Sequence, residues 1–548
     1  MSTTIIIGSQ WGDEGKGKLT DIFCSQADVV ARAAGGHNAG HVVQANGIYH
    51  NFRLLPSGLM VPKCQALIGT GVVFHFPTFF QELADIQEEG IKDAGERVFV
   101  SDRCHVNFDL HGAVDAAQEE ELAGKAVGSM RRGIGPCYST KAIRSGIRIA
   151  EIFNEARFEE KLRRLAAGYQ KRFGGLLKYD VEDEIARFKE YRVAIQKYVV
   201  DGVLFMARAK ERGANIVVEG SQAILLDVDY GTYPHVTSSS TGLGGAISGL
   251  GLGIRDIKEV IGVTKAYNTR LGLGGFPTED AGEVGQQLQK LGGEYAAVIK
   301  QKLRCGWLDL VALRYSCMIN NYDSIQLSKL DVLDTFERIK VGIAYRDRDT
   351  GAEMPSFPAD HDVLERVEVV YEELPGWNTS IAKRREWAEL PTEAQKYVEY
   401  IERFIGVKAN QVDWNGCSAR GHYYAGLIYI PGSRMKRVAW PCRSCEAILC
   451  RPLLVSAQRV STTWRALITT SPALQPRLFF LPVPGDDARP SVAMAVADDG
   501  SGTAEDEIWA LPPRRTQNPL LVWCFSPCFF ETHDKAYFCQ AKHRTRVP

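Results

Sequence analysis

The run Gly8-Ser9-Gln10-Trp11-Gly12-Asp13-Glu14-Gly15-Lys16-Gly17-Lys18 has the residue types and spacing of a phosphate site. Closely set glycines let successive backbone N–H groups turn toward one anion, and a helix starting just after them adds partial positive charge. Lys16 and Lys18 supply full charges. The run departs from the common phosphate loop, because Lys18 is followed by Leu19 and the usual hydroxyl ligand for Mg²⁺ is missing. Asp13 sits inside it instead. A carboxylate beside phosphates repels them unless it holds a metal or a proton. Asp13 is therefore a candidate for Mg²⁺ ligation, for general-base work, or for both.

A second segment, Gly35-Gly36-His37-Asn38-Ala39-Gly40-His41, combines small residues with three hydrogen-bonding side chains. Small residues allow a ligand close to the backbone. Histidines near a phosphate loop could polarise a phosphoryl group in transfer.

The elements that must hold these segments are legible through residue 407. Ile5-Ile6-Ile7, Ile216-Val217-Val218, Val260-Ile261-Gly262-Val263 and Val341-Gly342-Ile343-Ala344 read as buried strands. Leu19 to Cys24, Phe158 to Ala167, Glu184 to Val200 and Thr392 to Phe404 have helical apolar spacing. Strands alternating with helices predict an α/β fold, with a large, mainly parallel central sheet flanked by helices. The site should lie at the strand ends, where the phosphate loop meets the His41 segment.

Composition narrows the partners. The chain has 548 residues, a formal net charge of −1 and 45% hydrophobic residues, a profile that argues against general nucleic-acid or membrane-surface binding. No secretory signal or membrane-length apolar run is visible, so a cytoplasmic location is expected. Cys24, Cys64, Cys104, Cys137, Cys305 and Cys317 lack ligand spacing and should be packed thiols. After Val407 the texture changes: five of nine tryptophans, 13 of 23 prolines and seven of 13 cysteines fall there. That density of proline predicts an irregular extension over 408–548, which resembles untemplated sequence such as a read-through or a wrongly joined exon, or else is a genuine extension. The pairs Cys442/Cys445 and Cys524/Cys528 are too far apart for a compact zinc finger.

Taken together the first two segments resemble adenylosuccinate synthetase, and the resemblance continues. Gly133-Ile134-Gly135-Pro136 leads to Arg144, and Glu219-Gly220-Ser221-Gln222 leads to the run from Asp227 to Ser239. Lys265-Ala266-Tyr267, Thr269-Arg270, Phe276-Pro277-Thr278-Glu279, Gly306-Trp307-Leu308-Asp309, Lys329-Leu330-Asp331 and Leu374-Pro375-Gly376-Trp377 follow in the family's order, over residues 3 to about 407. The resemblance implies GTP-dependent joining of IMP to L-aspartate, with Mg²⁺ as cofactor, in a homodimer. It makes Asp13 the base that takes the N1 proton of IMP and His41 the acid toward the GTP phosphates. Asp13 and the carbonyl of Gly40 would hold the metal. GTP contacts are implied for Gly12 through Lys18 (Gly12, Asp13, Glu14, Gly15, Lys16, Gly17, Lys18), for Gly40, His41 and Val42, and for Lys329, Leu330 and Asp331. IMP contacts are implied for Asp13, Glu14, Gly15, Lys16, Asn38, Ala39, Gly40, His41, Met130, Gln222 and Thr237. Arg144 would reach the IMP phosphate of the neighbouring subunit. Asp331 is also readable physically, since a carboxylate accepts two hydrogen bonds from guanine N1–H and its 2-amino group, which adenine does not offer.

Three departures stand out. Met130 occupies a position where the family has a threonine hydroxyl for the IMP phosphate. The loop that should grip aspartate reads Val298, Ile299, Lys300, Gln301, Lys302, Leu303, where the family has threonines, a glycine and arginines. Lysine does not reproduce a bidentate arginine fork. Beyond Val407, Trp414-Asn415-Gly416-Cys417 only faintly echoes the family's glycine-rich turn. Two other readings follow from these residues: a GTP- and IMP-binding homologue impaired as a ligase, and a GTPase switch. The landmarks for a second nucleotide at Arg144, Gln222 and Thr237 speak against the switch.

Overall fold

The computed structural model describes residues 2–45, 48–122, 128–296, 301–414, 426–429, 478–482 and 492–496. Its centre is a ten-stranded sheet. The spatial order is Gly426–Tyr429, Ala409–Trp414, Ser324–Ser328, Ile257–Lys265, Ser2–Gly8, Asn215–Ala223, Val29–Arg32, Gln65–Ile68, Val98–Ser101, Val199–Val200. Every pairing is parallel except that of the edge strand Gly426–Tyr429, which runs antiparallel to Ala409–Trp414. The expected sheet is thus present, and its strand Ala409–Trp414 lies beyond residue 407.

Near-continuous apolar strands arise because this sheet is covered on both faces. Successive side chains alternate between two cores: Ile5, Ile7, Ile216 and Val218 enter one, and Ile6, Val217, Ile261 and Val263 enter the other. Burying each contributes roughly 1.5–3 kcal/mol relative to exposure. The helices covering the faces have their own local signals. Asn154 caps Glu155–Phe173 by accepting from Arg157 N, and Gly406, at φ 73°, ends Thr392–Ile405.

Two expected elements differ. The helix expected over Glu184 to Val200 spans Val181–Ile195, and Val199–Val200 form the sheet's edge strand against Val100 and Ser101. Two adjacent β-branched residues beside an open strand edge outweigh the end of an amphipathic pattern. The strand around Val341 belongs to a separate three-stranded sheet, where Arg338–Asp347 pairs antiparallel with Val367–Pro375 and parallel with Leu308–Asp309. Ile343 and Ala344 are only half-buried there.

The six cysteines before residue 410 are free thiols and buried. Among the described residues no helix is long and apolar enough to cross a membrane. Contacts divide the chain into a unit Met1–Pro441 and a unit Cys442–Pro548. Within the second, the described residues form an antiparallel pair, Leu478–Pro482 with Val492–Val496.

Candidate active site

The phosphate loop leaves the carboxyl end of the central strand Ser2–Gly8 and enters helix Lys16–Cys24. Its shape is held from inside. Glu14, fully buried, accepts the N–H groups of Gln10 at 3.1 Å and Gly12 at 2.9 Å, and its other oxygen takes Lys16 Nζ at 2.6 Å. The Glu14 side chain is therefore a clamp on the loop, and Lys16 is paired within it. A Cβ on Gly8 would fall 2.6 Å from Glu14 Oε2, so only glycine leaves room for this pair. The clamp keeps Gly12, Asp13 and Gly15 at positive φ, 92°, 57° and 94°. For Asp13 this is a left-handed conformation that a non-glycine residue adopts only when its surroundings enforce it.

Asp13 is exposed to solvent, yet the protein crowds it. Desolvation pushes its carboxyl above the usual range, Lys265 and Lys16 pull it back, and Glu14 and Glu294 push it up. A raised carboxyl that stays close to ammonium groups suits a base needed near neutrality.

The second segment packs against the first. Gly17 lies so close to His41 that a Cβ there would sit 3.1 Å from His41 Cβ. The His41 ring is hydrogen-bonded through Nδ1 to Glu219, which lies fully buried in strand Asn215–Ala223. Burial pushes the Glu219 carboxyl up, but His41, Arg32 and the Ser57 N–H outweigh it and hold it at about 2. Burial likewise pushes His41 down, with Glu219 opposing. Arriving phosphates would favour the charged ring.

Among the IMP candidates, Gln222 lies against Gly35, three positions before Asn38. Gln222 has φ 53°, and a Cβ on Gly35 would meet its Oε1 at 3.1 Å. Both amide atoms of Gln222 and Asn38 Oδ1 are buried without a hydrogen-bond partner. Buried polar groups left unpaired cost roughly 1–3 kcal/mol each. Arg132 Nη1 donates to the His37 carbonyl, which brings the Gly133-Pro136 segment to the same place. Thr237 is half-buried, with its N–H on Leu226 O at 2.9 Å. Met130 is half-buried, and the hydroxyl of Ser129 is taken by Asp115 at 2.6 Å. Arg144, at φ 65°, is exposed beside Ile143, which is 66% exposed.

The Lys329–Asp331 segment follows strand Ser324–Ser328, and Ser328 Oγ donates to Glu14 O at 2.7 Å, joining it to the phosphate loop. Lys329 bonds Glu294 Oε1 at 2.6 Å and Gly292 O at 2.9 Å. Lys265 reaches the other Glu294 oxygen at 2.9 Å, and Tyr267 OH also donates to Glu294. Glu294, Lys265 and Glu219 take part in the site through these contacts, and their sequence setting alone gives them no role. A charged residue inside an apolar strand, such as Glu219 after Val217 and Val218, is the signal that could have singled one of them out.

Of the expected aspartate loop, Val298, Ile299 and Lys300 lie outside the described residues. Gln301 and Lys302 are exposed, while Leu303 is buried and its N–H meets Glu294 O at 3.0 Å. Arg304 is held by Glu279, at 2.8 Å through Nε, and by the Gly274 carbonyl, also at 2.8 Å.

Among the described residues no cluster of three or more His, Cys, Asp or Glu could cage a metal. Asp13 and the Gly40 carbonyl are hard oxygen donors, a set that fits Mg²⁺ shared with nucleotide phosphates.

A family model described as adenylosuccinate synthetase matches residues 5–419. An adenylosuccinate synthetase of Neurospora crassa is 60% identical over 404 residues, 74% of this chain and 94% of that protein. One from Pyricularia oryzae is 58% identical over 413 residues, 75% of this chain and 97% of its own length. The structure of a fully ligated adenylosuccinate synthetase from Plasmodium falciparum is similar at 35% identity with a TM-score of 0.74, covering 78% of this chain and 100% of that one.

Proposed function

The chain belongs to the adenylosuccinate synthetase family, and we propose that Asp13 and His41 carry its chemistry. It is a GTP-dependent ligase of purine biosynthesis that joins IMP to L-aspartate, releasing adenylosuccinate, GDP and phosphate. The observation that carries the site assignment is Asp13 itself, forced to φ 57° inside an anion cradle.

Asp13 takes the N1 proton of IMP, and the charge that develops on O6 makes that oxygen a nucleophile toward the γ-phosphorus of GTP. GDP leaves as the O6–P bond forms. His41, donating from Nε2, offsets charge on the phosphate oxygens, and Glu219 beneath it offsets the charge on the ring. The aspartate amine then attacks C6, and phosphate departs with O6. Gln222 and Asn38 orient the base, and Thr237 and Arg144 hold the ribose phosphate end. The chain from Gly12 to Lys18, with Gly40, His41 and Val42, takes the GTP phosphates, while Lys329, Leu330 and Asp331 take guanine. Mg²⁺ on Asp13 and the Gly40 carbonyl would neutralise phosphate charge. Arg144, exposed beside Ile143, supports a homodimer in which it serves the neighbouring site. We assign catalysis to the unit through residue 407, with the strand Ala409–Trp414 completing its sheet, and assign no role to the remainder of 408–548. Free buried thiols at all six cysteines before residue 410 support a cytoplasmic location. Adenylosuccinate should accumulate only when GTP, IMP and aspartate are all present. Turnover of GTP at the same rate without IMP would contradict the reading.

Gln301 is exposed at the base of the altered loop, so an arginine fits there without burying charge. Gln301→Arg should lower the KM for aspartate about tenfold or more, the worth of one charge-assisted hydrogen bond of ~1.5–3 kcal/mol. KM for IMP should hold. Initial rates against aspartate concentration decide this, and an unchanged KM would remove residue 301 from the aspartate site.

A further inference from the structure

We infer that Glu219 is the positioning residue for His41: its carboxylate accepts the Nδ1 hydrogen, fixes the ring's rotation, and leaves Nε2 as the nitrogen that meets the nucleotide phosphates. The inference rests on the reading of His41 as a phosphoryl-transfer residue.

Glu219 occurs where the central sheet would otherwise place an apolar side chain. It follows Val217 and Val218 in strand Asn215–Ala223 and has no solvent exposure. An ionised carboxylate there is costly unless every contact donates to it. The Ser57 backbone N–H donates to Oε2 at 2.8 Å, Ser57 Oγ donates to Oε1 at 2.8 Å, and His41 Nδ1 is hydrogen-bonded to Oε1. Both Ser57 donors are aimed at this carboxylate, and Arg32 also favours its ionised form, so it accepts and does not donate. The ring nitrogen facing it must therefore carry hydrogen. On its other flank His41 abuts Gly17, in the first turn of the helix behind the phosphate loop. The imidazole is thus fixed between the sheet and the phosphate cradle, in one tautomer and one rotation. Ser57, which begins the turn Ser57–Met60, is dedicated to holding the carboxylate.

Positional isotope exchange in GTP labelled with ¹⁸O at the β,γ bridge reads phosphoryl transfer with IMP bound and aspartate absent. Glu219→Gln keeps the size of the side chain but removes the charge and presents an amide to Ser57. Exchange should slow by roughly 100-fold, with the half-saturating concentrations of GTP and IMP within about threefold of the parent. Added to His41→Asn, the same change should cost less than about threefold more, because residues acting as one unit do not multiply. Should Glu219→Gln yield too little folded protein, Ser57→Ala removes one donor from the carboxylate and should slow exchange about three- to tenfold at unchanged half-saturation. Parental exchange in the folded Glu219 or Ser57 variant, or losses that multiply with His41→Asn, would overturn the inference. Parental exchange in His41→Asn alone would remove the role of His41 on which it rests.

Discussion

Asp13→Asn is expected to lower the rate of adenylosuccinate formation roughly 1,000-fold, while GTP affinity stays within about tenfold of the parent. Asparagine fits the same left-handed position, since it tolerates positive φ better than most residues. The clamp that shapes the loop uses Glu14, Lys16 and backbone groups of Gln10 and Gly12, none of which the substitution removes. What is lost is the only group proposed to take the N1 proton of IMP. The neutral amide keeps one oxygen donor for Mg²⁺ and relieves repulsion toward the phosphates, so GTP binding should weaken far less than the chemistry. Measured by the absorbance of adenylosuccinate and by GTP titration, this split between rate and affinity is the signature of a base. A parallel loss of both would make Asp13 a structural part of the cradle instead.

Asp331→Asn should have the second-largest effect, and it should appear as a change of nucleotide. The carboxylate accepts from guanine N1–H and the 2-amino group, two charge-assisted bonds worth ~3–6 kcal/mol together. An asparagine amide turns one of those acceptors into a donor, which opposes the 2-amino group and matches the 2-oxo group of xanthine. kcat/KM for GTP should fall roughly 100- to 10,000-fold, and XTP should become the better phosphoryl donor. Equal losses for GTP and XTP would show that Asp331 supports the segment without reading the base. Lys329, tied to Glu294 and the Gly292 carbonyl, and Ser328, tied to the phosphate loop, hold the segment in place in both proteins.

Segments whose chemistry is local were the most legible in the sequence. The phosphate loop announced itself through its glycines, and the carboxylate among them predicted a base or metal ligand before any contact was known. The central sheet followed from short apolar runs such as Ile216-Val217-Val218, because a strand covered on both faces needs no alternation. Groups that act through space were not legible. Glu294 joins Lys265 to Lys329 from just beyond the end of helix Glu283–Gly292. Glu219 meets a histidine 178 positions earlier in the chain, and no periodicity encodes that distance. The inward turn of Glu14 was also hidden, since a carboxylate beside Lys16 reads equally as a solvated pair. Edges were lost for a further reason. The pattern from Glu184 to Val200 stays helical in its spacing, and only the open strand at Val98–Ser101 draws Val199 and Val200 into the sheet.

The central claim is that O6 of IMP attacks the γ-phosphoryl of GTP after Asp13 has taken the neighbouring proton. Its most direct test is to supply IMP labelled with ¹⁸O at position 6, together with GTP and aspartate, and to weigh the phosphate released. The mechanism requires the label to pass into that phosphate, one atom for each adenylosuccinate formed. Phosphate that acquires oxygen from solvent water, while the IMP label appears elsewhere, would contradict it.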